Sequence, residues 1–190
     1  MYSLYEEPEK IQSVFELLQE KDEIPYRAAA ATTCDLVMIP DNLSSEIVSP
    51  NLFRDYSLEY YRHRTAGLHD AGKIVLAHID GTLRGLLPIL NNSGIDCAEG
   101  VTPSPMGDVP PEELRNLAGN ELCIWGGIPG ALFSEVHTEE VFLNFVKRYL
   151  SLAARDPRMI IGVGDQVPPG SDLGRVRLVS NLCESFPDFE

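Results

Sequence analysis

The sequence predicts an α/β fold in which helices cover the outer side of a five-stranded parallel sheet. Five short apolar runs stop abruptly next to polar or acidic residues, at residues 35–40, 73–80, 96–101, 122–127 and 159–165. A stretch long enough for a helix follows each run. Apolar strands spaced by helices are typical of parallel sheets. Polar groups at the ends of such strands indicate an enzyme active site, because rigid strands support the loops there.

Helices are predicted before, between and after these strands, at residues 7–20, 51–71, 82–92, 111–117, 138–154 and 172–184. The first opens with Pro8, which the first turn of a helix tolerates. After Pro25 an alanine-rich turn is expected to lead into the first strand. Pro88 is expected to bend or shorten the third helix. Thr138 is the predicted N-cap of the fifth, which is strongly amphipathic.

The arrangement of the strands is predicted to be that of a barrel and not of an open, doubly wound sheet. A doubly wound sheet normally carries a glycine-rich phosphate loop after its first strand. Residues 41–46 read DNLSSE at that position, with no glycine. A closed TIM-type (β/α)8 barrel has eight units, and only about five are present. The sequence therefore predicts one domain over residues 1–190 that corresponds to part of such a barrel.

The composition restricts the classes of partner. Twenty-nine acidic and 15 basic side chains give a formal net charge of −14. Such a charge repels phosphate backbones and anionic lipids, which argues against nucleic-acid and membrane partners. No signal peptide and no apolar run of about 20 residues is recognisable, so a cytoplasmic protein is expected. The four cysteines lack zinc-site spacing and are expected to be free thiols: Cys34, Cys97, Cys123 and Cys183.

The most specific chemical signal is the sequence His78-Ile79-Asp80 at the end of the second strand. Residues i and i+2 of a strand face the same side, so the imidazole and the carboxylate can converge on one point. Such a pair can bind a metal ion, or the carboxylate can orient the histidine as a base. The alternative is a histidine with local hydrogen bonds, next to a turn at Asp80-Gly81.

Two further carboxylates end or interrupt strands. Glu99 lies within an apolar strand, where a carboxylate is costly to bury unless it is paired or faces a polar site. Asp165 closes the fifth strand, between Gly164 and a proline-rich loop, and could equally form a turn.

Weaker candidates follow the first and fourth strands. Asp41 and Asn42 come after the first strand and are interpreted as substrate-binding or as turn residues. Gly126 and Gly127 allow the backbone to approach a ligand, or they form a tight turn. We expect all of these groups to share one mouth of the barrel. The predicted catalytic residues are His78, Asp80, Glu99 and Asp165, and the predicted substrate-binding residues are Asp41, Asn42, Gly126 and Gly127.

Four stretches of the sequence follow one another in a recognisable order. In residues 48–81 a Ser-Pro and a long helix lead to a strand that ends in histidine: VSPNLFRDYSLEYYRHRTAGLHDAGKIVLAHIDG. The later strand ends GIDCAEG, IWGGIP and GVGDQVPPGSD follow. In this order the four stretches resemble the uroporphyrinogen decarboxylase superfamily, and the resemblance covers roughly residues 11–186. It implies the C-terminal portion of a (β/α)8 barrel, with the N-terminal β/α units missing.

The superfamily contains two main activities, and the resemblance implies a different role for the same residues in each. In the zinc-dependent methyltransferases, which move a methyl group from a corrinoid to a thiol, a His-x-Cys pair and a later Cys bind zinc. Here His78 matches the histidine, while Asp80 and Asp165 stand at the two cysteine positions. A His/Asp/Asp set suits a harder ion such as manganese or magnesium better than zinc.

In the decarboxylase branch, which serves porphyrin biosynthesis, an arginine-rich N-terminal signature binds the substrate, and that region has no counterpart here. The branch's Asp-Trp signature corresponds to Glu99-Gly100, and its late histidine corresponds to Asp165.

We therefore expect a methyltransferase-like enzyme that acts on a corrinoid-linked or one-carbon substrate. His78, Asp80 and Asp165 are the hypothetical ligands of a divalent metal, zinc or a harder ion. A corrinoid protein is an expected partner, and a homo-oligomer could cover the open sheet edges. The alternatives are cofactor-free decarboxylation of uroporphyrinogen and a non-catalytic fragment or binding module.

Overall fold

Five strands form one parallel sheet in the computed structural model, which describes residues 2–186. The strands are β1 (Leu36–Leu43), β2 (Ile74–Ile79), β3 (Cys97–Val101), β4 (Cys123–Pro129) and β5 (Met159–Gly164). All five predicted strands are confirmed. Their positions follow from the apolar runs, because a strand covered on one face and packed between neighbours needs little polar surface.

The strands lie in the order β1-β2-β3-β4-β5, so each one pairs with the next along the chain. A doubly wound sheet reverses its strand order at a switch point. No reversal occurs among these five strands, and the sheet is part of a TIM-type barrel, as predicted. All five strands therefore present their carboxyl ends on the same side of the sheet.

Helical segments precede β1, occupy the connections between the strands and follow β5. They are α1 (Tyr2–Glu6), α2 (Pro8–Ala30), α3 (Pro50–Leu52), α4 (Leu58–Asp70), α5 (Leu87–Leu90), α6 (Leu114–Ala118), α7 (Glu139–Ala153) and α8 (Leu173–Glu184). A π-helical turn, Phe53–Ser57, joins α3 to α4, and 3₁₀ turns lie at Pro111–Glu113 and Gly130–Phe133. Thr138 caps α7 as predicted, since its side chain accepts a hydrogen bond from the Val141 amide.

The differences from the sequence prediction that have a clear physical cause concern two helices. α2 continues through Pro25 to Ala30, where a turn was expected. Alanine favours helix, and Tyr26, Ala29 and Ala30 pack against the core, which stabilises the extension. The helix predicted at residues 82–92 is reduced to Leu87–Leu90, because the Asp108 carboxylate accepts hydrogen bonds from the backbone amides of Leu83 and Arg84 and holds that segment as a turn.

The helices cover one face of the sheet and leave the other open. On the covered face Val75, Ala77, Ala98 and Ile124 are completely buried. On the opposite face the large side chains near the amino ends of the strands are about half exposed: Leu36, Met38, Ile74 and Ile160. This open face is the one that lines the interior of a closed barrel. Within residues 2–186, the structure contains no helix that is both long and apolar enough to span a membrane.

Candidate functional site

His78 and Glu99 form a hydrogen-bonded pair on the open face of the sheet. They are register partners on β2 and β3, and neighbouring residues in register project to the same side. Nδ1 of His78 lies 2.7 Å from Oε2 of Glu99, and each side chain is 18% exposed. The carboxylate that interrupts the apolar strand is thus paired, which accounts for its burial. It also fixes the orientation of the imidazole.

Asp165 approaches the other nitrogen of the same ring. Its Oδ1 lies 3.7 Å from Nε2 of His78, an ion-pair distance that is too long for a direct hydrogen bond. Asp165 follows β5 with φ at 60°, a conformation that is uncommon for a residue other than glycine. Its backbone amide donates to the carbonyl of Gly100 over 3.2 Å. Asp165 therefore belongs to the same group as His78 and Glu99.

Gly100 is part of this site, although it is not among the predicted catalytic or substrate-binding residues. Its φ is +80°, and a Cβ at this position would lie 2.8 Å from Nδ1 and 2.7 Å from Cε1 of His78. The absence of a side chain therefore lets the backbone of β3 pack directly against the imidazole. The carbonyl of Gly100 also accepts a hydrogen bond from the Thr102 hydroxyl. The sequence signal was the glycine that directly follows Glu99 inside an apolar strand.

A cleft of about 310 Å³ opens beside Asp165 at the carboxyl ends of the strands. Its walls include Asp80, Thr102, Met106 and Gln166. Asp80 is exposed there and contributes a second carboxylate, so it shares the cleft with Asp165. Of the residues that the structure describes, neither a lysine nor an arginine lines this cleft. The cleft is therefore acidic. The imidazole of His78, which Glu99 orients, lies next to Asp165.

Asp41 does not join this group. β1 runs past Pro40, where the prediction ended it, and includes both Asp41 and Asn42. Oδ2 of Asp41 accepts a hydrogen bond from the hydroxyl of Tyr61, a buried residue of α4, over 2.5 Å. The Asp41 side chain therefore lies on the helix side of the sheet. The prediction that it shares a mouth with His78 is wrong, because the strand continues where a turn was expected.

The two glycines of β4 have their space filled by protein atoms. A Cβ on Gly126 would lie 2.6 Å from the carbonyl oxygen of Val101. A Cβ on Gly127 would lie 1.7 Å from Cζ of Tyr149 in α7. Close packing of strand on strand and of helix on strand requires both glycines. Substrate binding by Gly126 and Gly127 stays a prediction without a supporting contact.

The hypothetical metal ligands do not converge as a coordination site would require. Across residues 2–186, no group of three or more His, Cys, Asp or Glu side chains is arranged to hold a metal ion. Nδ1 of His78 is engaged by Glu99, and Asp80 makes no side-chain bond to the ring within the described residues. The set of His78, Asp80 and Asp165 therefore does not fit a metal in this arrangement. What the site offers is an imidazole whose Nε2 can exchange a proton near the cleft.

Comparisons with known proteins identify the family from a sequence model and the fold from a solved structure. The family model described as "Uroporphyrinogen decarboxylase (URO-D)" matches residues 1–186. A solved structure of a methyltransferase from Methanosarcina mazei is similar, with a TM-score of 0.75 and 16% sequence identity. That similarity covers 98% of this chain and 52% of the other, so the chain spans about half the length of this structural relative. No curated protein sequence matches significantly.

Proposed function

Because the chain belongs to the uroporphyrinogen decarboxylase family, we propose that it is an enzyme of the methyltransferase-like branch. The substrate class is a thiol acceptor together with a one-carbon donor, for which a corrinoid-linked methyl group is the leading candidate. The observation that carries the proposal is the His78–Glu99 pair, which orients an imidazole towards Asp165, a residue that lines the acidic cleft. The methyltransferase from Methanosarcina mazei, which shares the fold, supports this choice of branch.

The chemistry assigned to the chain is proton acceptance from the thiol. With the Nδ1 proton donated to Glu99, the lone pair of Nε2 is free to take the acceptor's S–H proton. The sulfur then attacks the methyl carbon, an S–C bond forms, and the bond between the methyl group and its donor breaks with the electron pair leaving on the donor. Glu99 and Asp165 stabilise the imidazolium that results. No step passes through a metal ion, since the described side chains do not fit one.

The decarboxylase alternative fits the cleft less well. Uroporphyrinogen carries several carboxylates, and a site for it needs cationic side chains to hold them. The described part of the cleft presents Asp80 and Asp165 instead, which would repel such a substrate. A corrinoid protein remains the proposed macromolecular partner. A binding module without catalysis is the outcome that a negative assay would favour.

The direct test uses the 190-residue chain with methylcobalamin as the donor and a small thiol as the acceptor, under anaerobic conditions. The absorbance change of the corrinoid reports loss of its methyl group. We expect demethylation that requires both the protein and the thiol. A parallel assay with uroporphyrinogen addresses the alternative. Decarboxylation without methyl transfer, or no reaction in either assay, would contradict the proposal.

A further inference from the structure

Cys97 and Cys123 are neighbours across two parallel strands. They are the first residues of β3 and β4, and their Cα atoms are register partners. Paired strands lie roughly 4.8 Å apart, and disulfides form at Cα separations of roughly 4.4–6.8 Å. Because the two residues are in register, their side chains leave the sheet on the same face. The backbone therefore holds the two thiols within bonding reach of each other.

The pair lies on the open face of the sheet, below the candidate site. Cys97 precedes Glu99 by two positions on β3 and so projects to the same face as the His78–Glu99 pair. Cys97 is buried and Cys123 is half-buried. Part of the Cys123 surface is exposed, so a small oxidant can reach this residue without unfolding the protein.

The surroundings make the two sulfurs chemically different. The Cys97 thiol, and then the guanidinium groups of Arg115 and Arg158, lower the pKa of Cys123 to about 7 against the opposing effect of burial. A thiolate is the reactive form of cysteine towards oxidants. The pKa of Cys97 is raised, first by the neighbouring Cys123 side chain and then by burial. Cys123 is also the more exposed of the two residues, so its sulfur reacts first and the sulfur of Cys97 reacts second.

We propose that Cys97 and Cys123 are a redox modification site that forms a reversible cross-strand disulfide with hydrogen peroxide as the oxidant. The Cys123 thiolate attacks one peroxide oxygen, an S–O bond forms, and the O–O bond breaks to release hydroxide, which takes up a proton to become water. Cys123 is then a sulfenic acid. The sulfur of Cys97 attacks the Cys123 sulfur, an S–S bond forms, and the S–O bond breaks. The leaving hydroxide takes the proton of Cys97 as water.

In the overall reaction, two thiols and one molecule of hydrogen peroxide give one disulfide and two molecules of water. A small dithiol reductant reverses the modification by returning two electrons and two protons. The proposal does not depend on the methyl-transfer function, because it rests only on the positions and environment of the two sulfurs.

Tryptic mapping of the peroxide-treated 190-residue protein tests this proposal. Cleavage after Arg and Lys places the four cysteines in four separate peptides, residues 28–54, 85–115, 116–147 and 178–190. We expect peroxide to link peptide 85–115 to peptide 116–147, with the loss of two hydrogen atoms, and dithiothreitol to separate them. The variants Cys34→Ser and Cys183→Ser are matched controls that should keep the link.

Cys123→Ser should abolish the link, and Cys123→Ala is the second variant should the serine form fail to fold. Peptide mapping of the unmutated protein also tests the proposal without any variant. Recovery of peptides 85–115 and 116–147 unlinked after peroxide treatment, or linkage predominantly to the peptides that carry Cys34 or Cys183, would overturn the proposal.

Discussion

Nδ1 of His78 lies 2.7 Å from Oε2 of Glu99, and the two residues are register partners on neighbouring parallel strands. This pairing fixes the ring so that its second nitrogen faces Asp165, which lines the acidic cleft. The proposed proton transfer depends on that orientation, because an imidazole free to rotate would present Nε2 only part of the time.

Replacing Glu99 by glutamine is expected to lower kcat while leaving KM largely unchanged. The amide retains the shape of the side chain but removes the charge that stabilises the imidazolium. A hydrogen bond to a charged group contributes roughly 1.5–3 kcal/mol, so we expect kcat to fall about 10- to 100-fold. Steady-state kinetics of methyl transfer measures this change. Glu112→Gln is the matched control, since Glu112 pairs with Arg148 at the surface, and equal rate losses in both variants would refute the role of Glu99.

Replacing Gly100 by alanine is expected to disturb both stability and the site. Gly100 has φ at +80° and its added Cβ would overlap the His78 ring, whereas Gly170 has φ at +78° and open space around it. Both alanine variants therefore have the same backbone strain, and only Gly100→Ala also has a steric clash, with the His78 ring. We expect Gly100→Ala to lower the free energy of unfolding by about 1–3 kcal/mol more than Gly170→Ala does. Urea unfolding compares them, and equal losses would show that the ring is free to move aside.

Two buried tyrosines should respond oppositely to loss of their hydroxyl groups. The Tyr149 hydroxyl is buried and finds no hydrogen-bond partner among the described residues, whereas the Tyr61 hydroxyl donates to Asp41. We expect Tyr149→Phe to keep the free energy of unfolding or raise it by up to about 1 kcal/mol, and Tyr61→Phe to lower it by about 1 kcal/mol. Thermal or urea unfolding measures both. A loss in Tyr149→Phe as large as that in Tyr61→Phe would mean that its hydroxyl has a partner.

Alkylation of Cys123 should follow its lowered pKa. Because the thiolate is the reacting form, the rate with iodoacetamide is expected to rise with pH and to have its midpoint near pH 7. The largest cause of the shift is the Cys97 thiol, so Cys97→Ala should move the midpoint to higher pH. Peptide mapping after short alkylation pulses measures the rate at Cys123 itself. If the midpoint of the pH dependence is the same in Cys97→Ala as in the unmutated protein, the Cys97 thiol does not lower the pKa of Cys123.

The parallel sheet was predictable because each strand is an apolar run that needs no information from elsewhere in the chain. The same holds for the meeting of His78, Glu99 and Asp165, since the carboxyl ends of parallel strands lie on one side. The helix at Glu139–Ala153 was also predictable, from its N-cap residue and its amphipathic pattern.

What the sequence did not reveal depends on contacts between distant residues. β1 continues to Leu43 because it pairs with β2 there, and that pairing turns Asp41 towards Tyr61. The turn at residues 82–86 is held by Asp108, more than twenty positions away. Gly100 belongs to the site because the His78 ring, on the neighbouring strand, packs against its backbone. A pattern within a short stretch of sequence cannot predict contacts with residues that are distant along the chain.

The central claim is that His78 accepts the proton of the thiol. Its most direct test compares the rates of methyl transfer of the His78→Gln and His63→Gln variants. His63 is an exposed histidine of α4, so its replacement controls for the loss of an imidazole as such. Loss of a general base typically slows a reaction about 100- to 10,000-fold, and we expect a decrease in that range for His78→Gln with no change for His63→Gln. Full activity in His78→Gln would contradict the assignment of the proton transfer to this imidazole.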